Sequence, residues 1–267
     1  MAQDLLIRPP AVAGTFYPAE PEALAASLQD SFAAARQPAP DAAVPESLIV
    51  PHAGYVYSGP IAASAYLRLV PARSVIRRIV LLGPSHRVPL DGLAVPASDA
   101  FATPLGLVPV ADEARQVALA RPGVVVEDMA HVAEHSLEVQ LPFLQVVLDR
   151  FEVLPLAVGR CRPEDVAAVL EALWGGPETV VVASTDLSHY HRYEEARARD
   201  SRTAAAIAAA EPEAIGDLDA CGAYGLRGLL AAARSRHLKV EQIDLRSSGD
   251  TAGDRKRVVG YGAFAVG

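Results

Sequence analysis

The chain has 267 residues, 51% of them hydrophobic and 21% charged, with a formal net charge of -8. That composition fits one globular unit and excludes a disordered one. The negative charge, with lysine only at Lys239 and Lys256 and no basic run long enough to override it, argues against nucleic acid as a partner.

No apolar run approaches the ~20 residues of a membrane span, so no membrane partner is expected. No charged start followed by an apolar stretch precedes the domain, which points to the cytoplasm. There Cys161 and Cys221, the only cysteines, stay as free thiols.

In chain order, residues 1–19 hold Pro9-Pro10, Gly14 and Tyr17-Pro18 and read as an irregular, packed arm. Pro21 to Ala35 is predicted helical, with proline in the first turn and Leu24, Leu28 and Phe32 recurring every four residues. After a Pro/Ala linker, Leu48-Ile49-Val50 reads as a buried strand that ends in Pro51-His52. Ser58-Gly59-Pro60 is expected to open a helix, with Ser58 as its cap. Ile79 to Leu82 is a second buried strand, ending in Gly83-Pro84-Ser85-His86.

A short strand is expected near Leu93, then a turn-rich segment over 97–110. A helix is expected from Ala111 to Ala120, a short strand at Val124 to Val126, and a helical stripe from Leu137 to Leu148. Phe151 to Val158 is a strand and Pro163 to Trp174 a helix. Val180 to Ala183 is a third strand, running into Ser184-Thr185-Asp186-Leu187-Ser188-His189. Two more helices, Tyr193 to Ala210 and Gly222 to Arg236, precede closing strands at Leu238 to Leu245 and Val258 to Val266. A Gly/Ser/Asp-rich loop at 247–257 separates those two strands. Strands alternating with helices predict a single-domain α/β helix–sheet–helix sandwich over 1–267, with a mixed, largely parallel sheet.

Three strands that end in histidines point to a site, because open α/β sheets bind ligands beyond the carboxyl ends of their strands. Neutral imidazoles of His52 and His86 suit iron, zinc or copper. Cys221 precedes a predicted helix, where a thiol pKa falls and a thiolate can ligate; the alternative is a small buried apolar residue. Asp186 and His189 form a carboxylate–imidazole pair suited to acid–base work, with Asp186 orienting the ring. Glu134 and His135 precede a helix and are expected to line the pocket, as are Tyr55 and Tyr57. His131-Val132-Ala133-Glu134-His135 matches the H-x-x-E-H spacing of a zinc-peptidase class, a reading that requires all five residues inside one helix. His191 is expected to face solvent, and Cys161 carries no pattern. No dinucleotide fingerprint or phosphate loop follows any strand.

Several segments together resemble the Memo family, whose microbial members are called AmmeMemoRadiSam system protein B. They include Arg8-Pro9-Pro10-Ala11-Val12-Ala13-Gly14-Thr15-Phe16-Tyr17-Pro18, Pro51-His52-Ala53-Gly54-Tyr55-Val56-Tyr57-Ser58-Gly59 and Gly83-Pro84-Ser85-His86. The others are Glu134-His135-Ser136-Leu137-Glu138-Val139-Gln140-Leu141-Pro142-Phe143-Leu144, Ser184-Thr185-Asp186-Leu187-Ser188-His189-Tyr190 and Ala220-Cys221-Gly222.

The resemblance implies a fold similar to class III extradiol dioxygenases, which hold non-haem Fe(II) with two histidines and a glutamate. In Memo-like proteins a cysteine replaces that glutamate. It implies His52, His86 and Cys221 as metal ligands, with Fe(II) expected first and copper or zinc after it. His189 takes the place of the acid/base, and Asp186 and His135 line the cavity. A small-molecule or peptide substrate, and radical SAM and AMMECR-type partner proteins, are also implied. The function expected is a dioxygenase-like oxidoreductase. The alternatives are a non-catalytic peptide- or metal-binding module of the same fold and, third, the peptidase.

Overall fold

A computed structural model describes residues 5–267; the first four residues of the expected N-terminal arm lie outside the described residues. In chain order the elements are β1 (Ile7–Arg8), α1 (Pro21–Ala33), β2 (Ser47–Val50), α2 (Tyr55–Tyr66), β3 (Arg78–Pro84), β4 (Leu93–Val95), β5 (Ala100–Thr103), β6 (Gly106–Pro109), α3 (Asp112–Leu119) and β7 (Val124–Val126). Then follow α4 (Met129–Val132), α5 (Leu141–Val147), β8 (Glu152–Val158), α6 (Pro163–Leu173), β9 (Thr179–Ser184), β10 (His189–His191), α7 (Tyr193–Ala208), α8 (Ala223–Ser235), β11 (Val240–Ser247) and β12 (Val258–Val266).

A nine-stranded sheet runs in the order β10-β12-β2-β9-β3-β8-β4-β7, with β11 also on β12. Its centre is parallel: β2 on β9, β9 on β3 and β3 on β8. Both flanks bring antiparallel pairs, β12 on β2 and β4 on β8, so the sheet is more evenly mixed than the alternating pattern predicts. The central strands are buried on both faces. Ile79 and Leu81 of β3 enter the core with α1, α2 and α5, while Val80 and Leu82 enter the core with α3, α6, α7 and α8. Period-two side chains and covering helices on both faces explain the nearly unbroken apolar runs.

Two expectations change. The segment over 97–110 is not merely turn-rich: β5 and β6 pair with each other, and β1 adds in parallel to β5 as a small second sheet. α2 starts at Tyr55, capped by Gly54, so Pro60 lies inside the helix and Ser58 does not cap it. The Ser58 hydroxyl instead donates to the Ala53 carbonyl at 2.9 Å. Among the described residues no helix is long and apolar enough to cross a membrane.

Candidate metal centre

Parallel strands place their carboxyl ends on one edge, and β2, β9 and β3 are neighbours there. His52 follows β2, Asp186 follows β9 and His86 follows β3, so all three arrive at one place from distant parts of the chain. The rings of His52 and His86 lie 5.2 Å apart, edge to face. A third imidazole joins them, His135, 5.4 Å from His52 and stacked 4.7 Å from His86. Each of the three offers one nitrogen within 4.8 Å of the other two.

The hydrogen bonds fix which nitrogens are free. The Ser184 hydroxyl donates to the Ser136 carbonyl at 2.6 Å and accepts from the Gln140 amide at 2.9 Å. Its remaining capacity is to accept, so the His52 Nδ1–H donates to it at 2.9 Å. His52 Nε2 is left as an acceptor, with the Cys221 thiol 3.2 Å away as its partner. Burial, with the neighbouring His86 and His135, holds the His52 ring neutral by pushing its pKa well below the usual imidazole value.

Glu134 does the same for His86. Burial works against the charge of this carboxylate, but bonds from the His86 ring and from backbone N–H groups outweigh it and bring the pKa down to about 2. The ionised oxygen accepts His86 Nδ1–H at 2.9 Å, leaving Nε2 free. The same carboxylate accepts the backbone N–H groups of His86, His135 and Ser136. His135 packs between His86 and Phe16, whose ring is 4.5 Å away. Its buried Nδ1 lies 3.2 Å from the Glu134 carboxylate without a well-aligned hydrogen bond, and burial, first among the causes, lowers the ring's pKa to about 4.

Cys221, two residues before α8, lies outside that trio but beside one of its rings. Its Sγ lies 3.2 Å from His52 Nε2 and accepts the Asp186 N–H at 3.3 Å. The lowered thiol pKa expected beside a helix start is not found. Burial, and then the Asp186 charge, push it up to about 12, since a single short-range helix effect cannot outweigh desolvation. Three converging imidazoles with a thiol beside one of them form a donor set that fits a soft or borderline transition metal. His52, His86 and His135 are the residues close enough together to hold it, and the Cys221 thiol lies next to His52.

Asp186 and His189 do not pair as the sequence suggests. The Asp186 carboxylate turns back to accept the His52 N–H at 2.8 Å, and burial raises its pKa to about 7. The His189 ring is oriented instead by the Leu187 carbonyl, 2.8 Å from Nδ1, so its Nε2 is the free nitrogen. Burial lowers the His189 pKa, which keeps the ring neutral and able to accept a proton.

Tyr57, His135, Asp186 and His189 line a cavity of about 630 Å³, with Phe16, Tyr190, Lys256 and Arg257 among its other walls. Tyr55 does not face it. That side chain is buried and its hydroxyl donates to the Val139 carbonyl at 2.7 Å. His191 lies outside as expected, paired with Glu195 at 3.0 Å. The peptidase spacing fails its own condition, because α4 ends at Val132 and His131 and His135 do not share a helix. His131 is buried elsewhere, with Nε2 on the Ala94 carbonyl at 3.0 Å.

Sequence reasoning missed how the loop carrying Glu134 and His135 is held. Arg8 reaches the carbonyls of His131 and Glu134 and forms a buried ion pair with Glu138. Glu138 also accepts the N–H groups of Ala11 and Val12 and the Tyr17 hydroxyl. The signal lay in two lone charged residues within apolar or proline-rich surroundings, far apart in sequence.

A family model described as "Memo-like protein" matches residues 8–265. A "MEMO1 family protein" of Aeropyrum pernix is 37% identical, over 97% of this chain and 99% of that protein. One from Aquifex aeolicus is 35% identical, over 96% and 97%. "MEMO1 family protein MTH_45" of Methanothermobacter thermautotrophicus is 36% identical, over 96% and 99%. Among solved structures, an uncharacterized protein, JW3007 from Escherichia coli K12, superposes with a TM-score of 0.52 at 15% identity, over 83% of this chain and 99% of that one. At that identity the match speaks for the fold alone.

Proposed function

This chain belongs to the Memo family, and from that membership and the imidazole cluster we propose that it is a metal-dependent oxidoreductase of the class III extradiol type. His52, His86 and Cys221 are the ligands in this reading, His135 is a further donor, and iron is preferred over copper or zinc. A redox-active metal held there would supply electron exchange that none of the side chains offers by itself.

The observation that carries the reading is the convergence of three imidazoles within 4.8 Å, with a thiol 3.2 Å from one of them. Two negative charges balance such a site. Cys221 would supply one as a thiolate if it held the metal, and the Glu134 carboxylate would supply the other from beside the His86 and His135 rings. His189 takes a proton from a substrate hydroxyl at Nε2, the nitrogen its bond to Leu187 leaves free. Asp186 holds the His52 backbone in place by its carboxylate and the Cys221 sulfur by its N–H. The family association with radical SAM and AMMECR-type proteins supports a cytoplasmic role alongside such partners.

The test is metal analysis of anaerobically purified protein, wild type beside Cys221→Ser, His135→Ala and His131→Ala. Loss of metal in the first two with retention in the third supports the site. Dioxygen uptake with a panel of catechols then tests turnover. Metal binding without uptake would reduce the protein to a binding module.

A further inference from the structure

The two ends of the large sheet are finished differently. At one end β11 carries Glu241, Asp244 and Arg246, and its register on β12 shifts between Gln242 and Asp244. Asp244 is a charge turned fully inward. Inward charges and register shifts of that kind keep an edge strand from pairing with another chain. At the other end β7 is three valines, with no charge and no proline inside the strand and an unbroken register on β4.

The ladder between β4 and β7 decides which groups of β7 face outward. The Leu93 N–H donates to the Gly123 carbonyl, and the Val95 carbonyl accepts the Glu127 N–H. Leu93 lies opposite Val124 and Val95 opposite Val126, so residues 123, 125 and 127 bond to β4. Val124 and Val126 therefore turn their backbone groups away from the sheet. The Val124 N–H closes a turn onto the Arg121 carbonyl at 3.3 Å. Among the described residues, the Val126 N–H and the carbonyls of both valines meet no hydrogen-bond partner. Val125 and Val126 are 47% and 49% exposed, and Met129 and Val132 of the adjoining α4 are more so. An apolar edge with unpaired backbone groups is a template for another strand.

The flanks of this edge say which strand. Exposed Arg121 stands before it, and Glu127 and Asp128 stand after it. The two carboxylates accept the backbone N–H groups of Met129 and Ala97, and among the described residues neither meets a cation. A second copy running antiparallel about a two-fold axis at Val125 sets Val124 opposite Val126. The Val126 N–H of each copy then meets the Val124 carbonyl of the other. Gly123 comes opposite Glu127, and the long side chain of Arg121, two residues away, reaches that carboxylate on the diagonal. Symmetry repeats the contact on the other side of the axis. A parallel copy would set like charge beside like.

We propose that β7 is a self-docking edge, through which two copies of this chain pair as antiparallel strands about a two-fold axis at Val125. The interface is small, so the dimer is weak and forms in the micromolar range.

The experiment is sedimentation velocity on the full chain, from low micromolar to several hundred micromolar. The wild type should shift toward twice the monomer mass as concentration rises. Val126→Pro removes an outward N–H and no bond to β4, so it should abolish the dimer and leave the circular dichroism spectrum unchanged. R121E and E127R, which alter surface side chains and decide the matter should the proline variant unfold, should each weaken the dimer by roughly three- to ten-fold. The double variant R121E/E127R should regain it. So should an equimolar mixture of the two single variants, in which every facing pair is opposite in sign.

A wild type that stays monomeric over the whole range overturns the inference. So does a dimer that persists in folded Val126→Pro, or one that is indifferent to the single charge reversals or not restored by combining them.

Discussion

One carboxylate oxygen of Glu134 accepts the ring Nδ1–H of His86 at 2.9 Å, while the other accepts the backbone N–H of the same residue at 2.6 Å. A single side chain thus fixes both where His86 sits and which of its nitrogens is free. Glu134→Gln keeps the size but loses the charge and one acceptor. It should leave the fold intact and weaken metal binding by roughly 10–100-fold, the usual effect of removing a carboxylate behind a ligating histidine. Competition with a chromophoric chelator measures this, and an unchanged affinity would show that the carboxylate does not tune the site.

The buried Arg8–Glu138 pair ties the chain's N-terminal arm to the loop that carries His135. Glu138→Ala strands the Arg8 guanidinium in the interior and removes the acceptor for Ala11, Val12 and Tyr17. The expected loss is about 3–5 kcal/mol, as for other buried pairs broken from one side. Urea unfolding of the metal-free protein reads it directly. Glu138→Gln, which keeps an acceptor oxygen, should lose less.

Gly260 of β12 lies against Asp200 of α7 so closely that an added Cβ would sit 2.0 Å from Oδ2. Asp200 holds the Ser188 N–H at 3.0 Å, and Gly260 itself bonds Leu187 and Ser188 through its carbonyl and N–H. Gly260→Ala must therefore push Asp200 away and loosen the turn that presents His189. A destabilisation of about 1–3 kcal/mol is expected from overpacking. It should come with a shifted His189 ring resonance in the NMR spectrum; a stable variant with an unmoved His189 signal would contradict the tight contact.

The legible part of the site was the part built from strands. His52 and His86 stand where apolar, β-branched runs stop, and a parallel sheet carries such ends to one edge whatever the rest of the chain does. His135 belongs to a different class. It sits between α4 and α5 on backbone without regular periodicity, and its place depends on Arg8 and Phe16 from the opposite end of the sequence. No local pattern encodes that contact. Asp186 was misread for a related reason. Three residues of separation suggested a pairing with His189, but burial leaves its carboxylate needing donors, and the N–H of His52 is the closer source. Tyr55 was drawn into the core because α2 begins one turn earlier than Pro60 suggests.

His131 provides the pH test, and it stands apart from the metal donors. It is 1% exposed, and burial, the leading cause, lowers its pKa to about 4 despite the bond to Ala94. The unfolded chain titrates near 6.5, so between roughly pH 6.5 and 4 the unfolded state holds more protons than the folded one. The stability that the neutral ring contributes is therefore complete above about pH 6.5 and drains away as pH falls toward 4. Over the whole window it amounts to on the order of 3 kcal/mol. His131→Gln keeps a donor for the Ala94 carbonyl but cannot titrate. Its unfolding free energy, measured in urea from pH 4 to 7.5, should fall less steeply than that of the wild type, by up to about 1.4 kcal/mol per pH unit. His52 and His135 titrate in the same sense, so a residual slope is expected in the variant. Identical slopes would mean that the His131 ring takes up its proton without opening the fold.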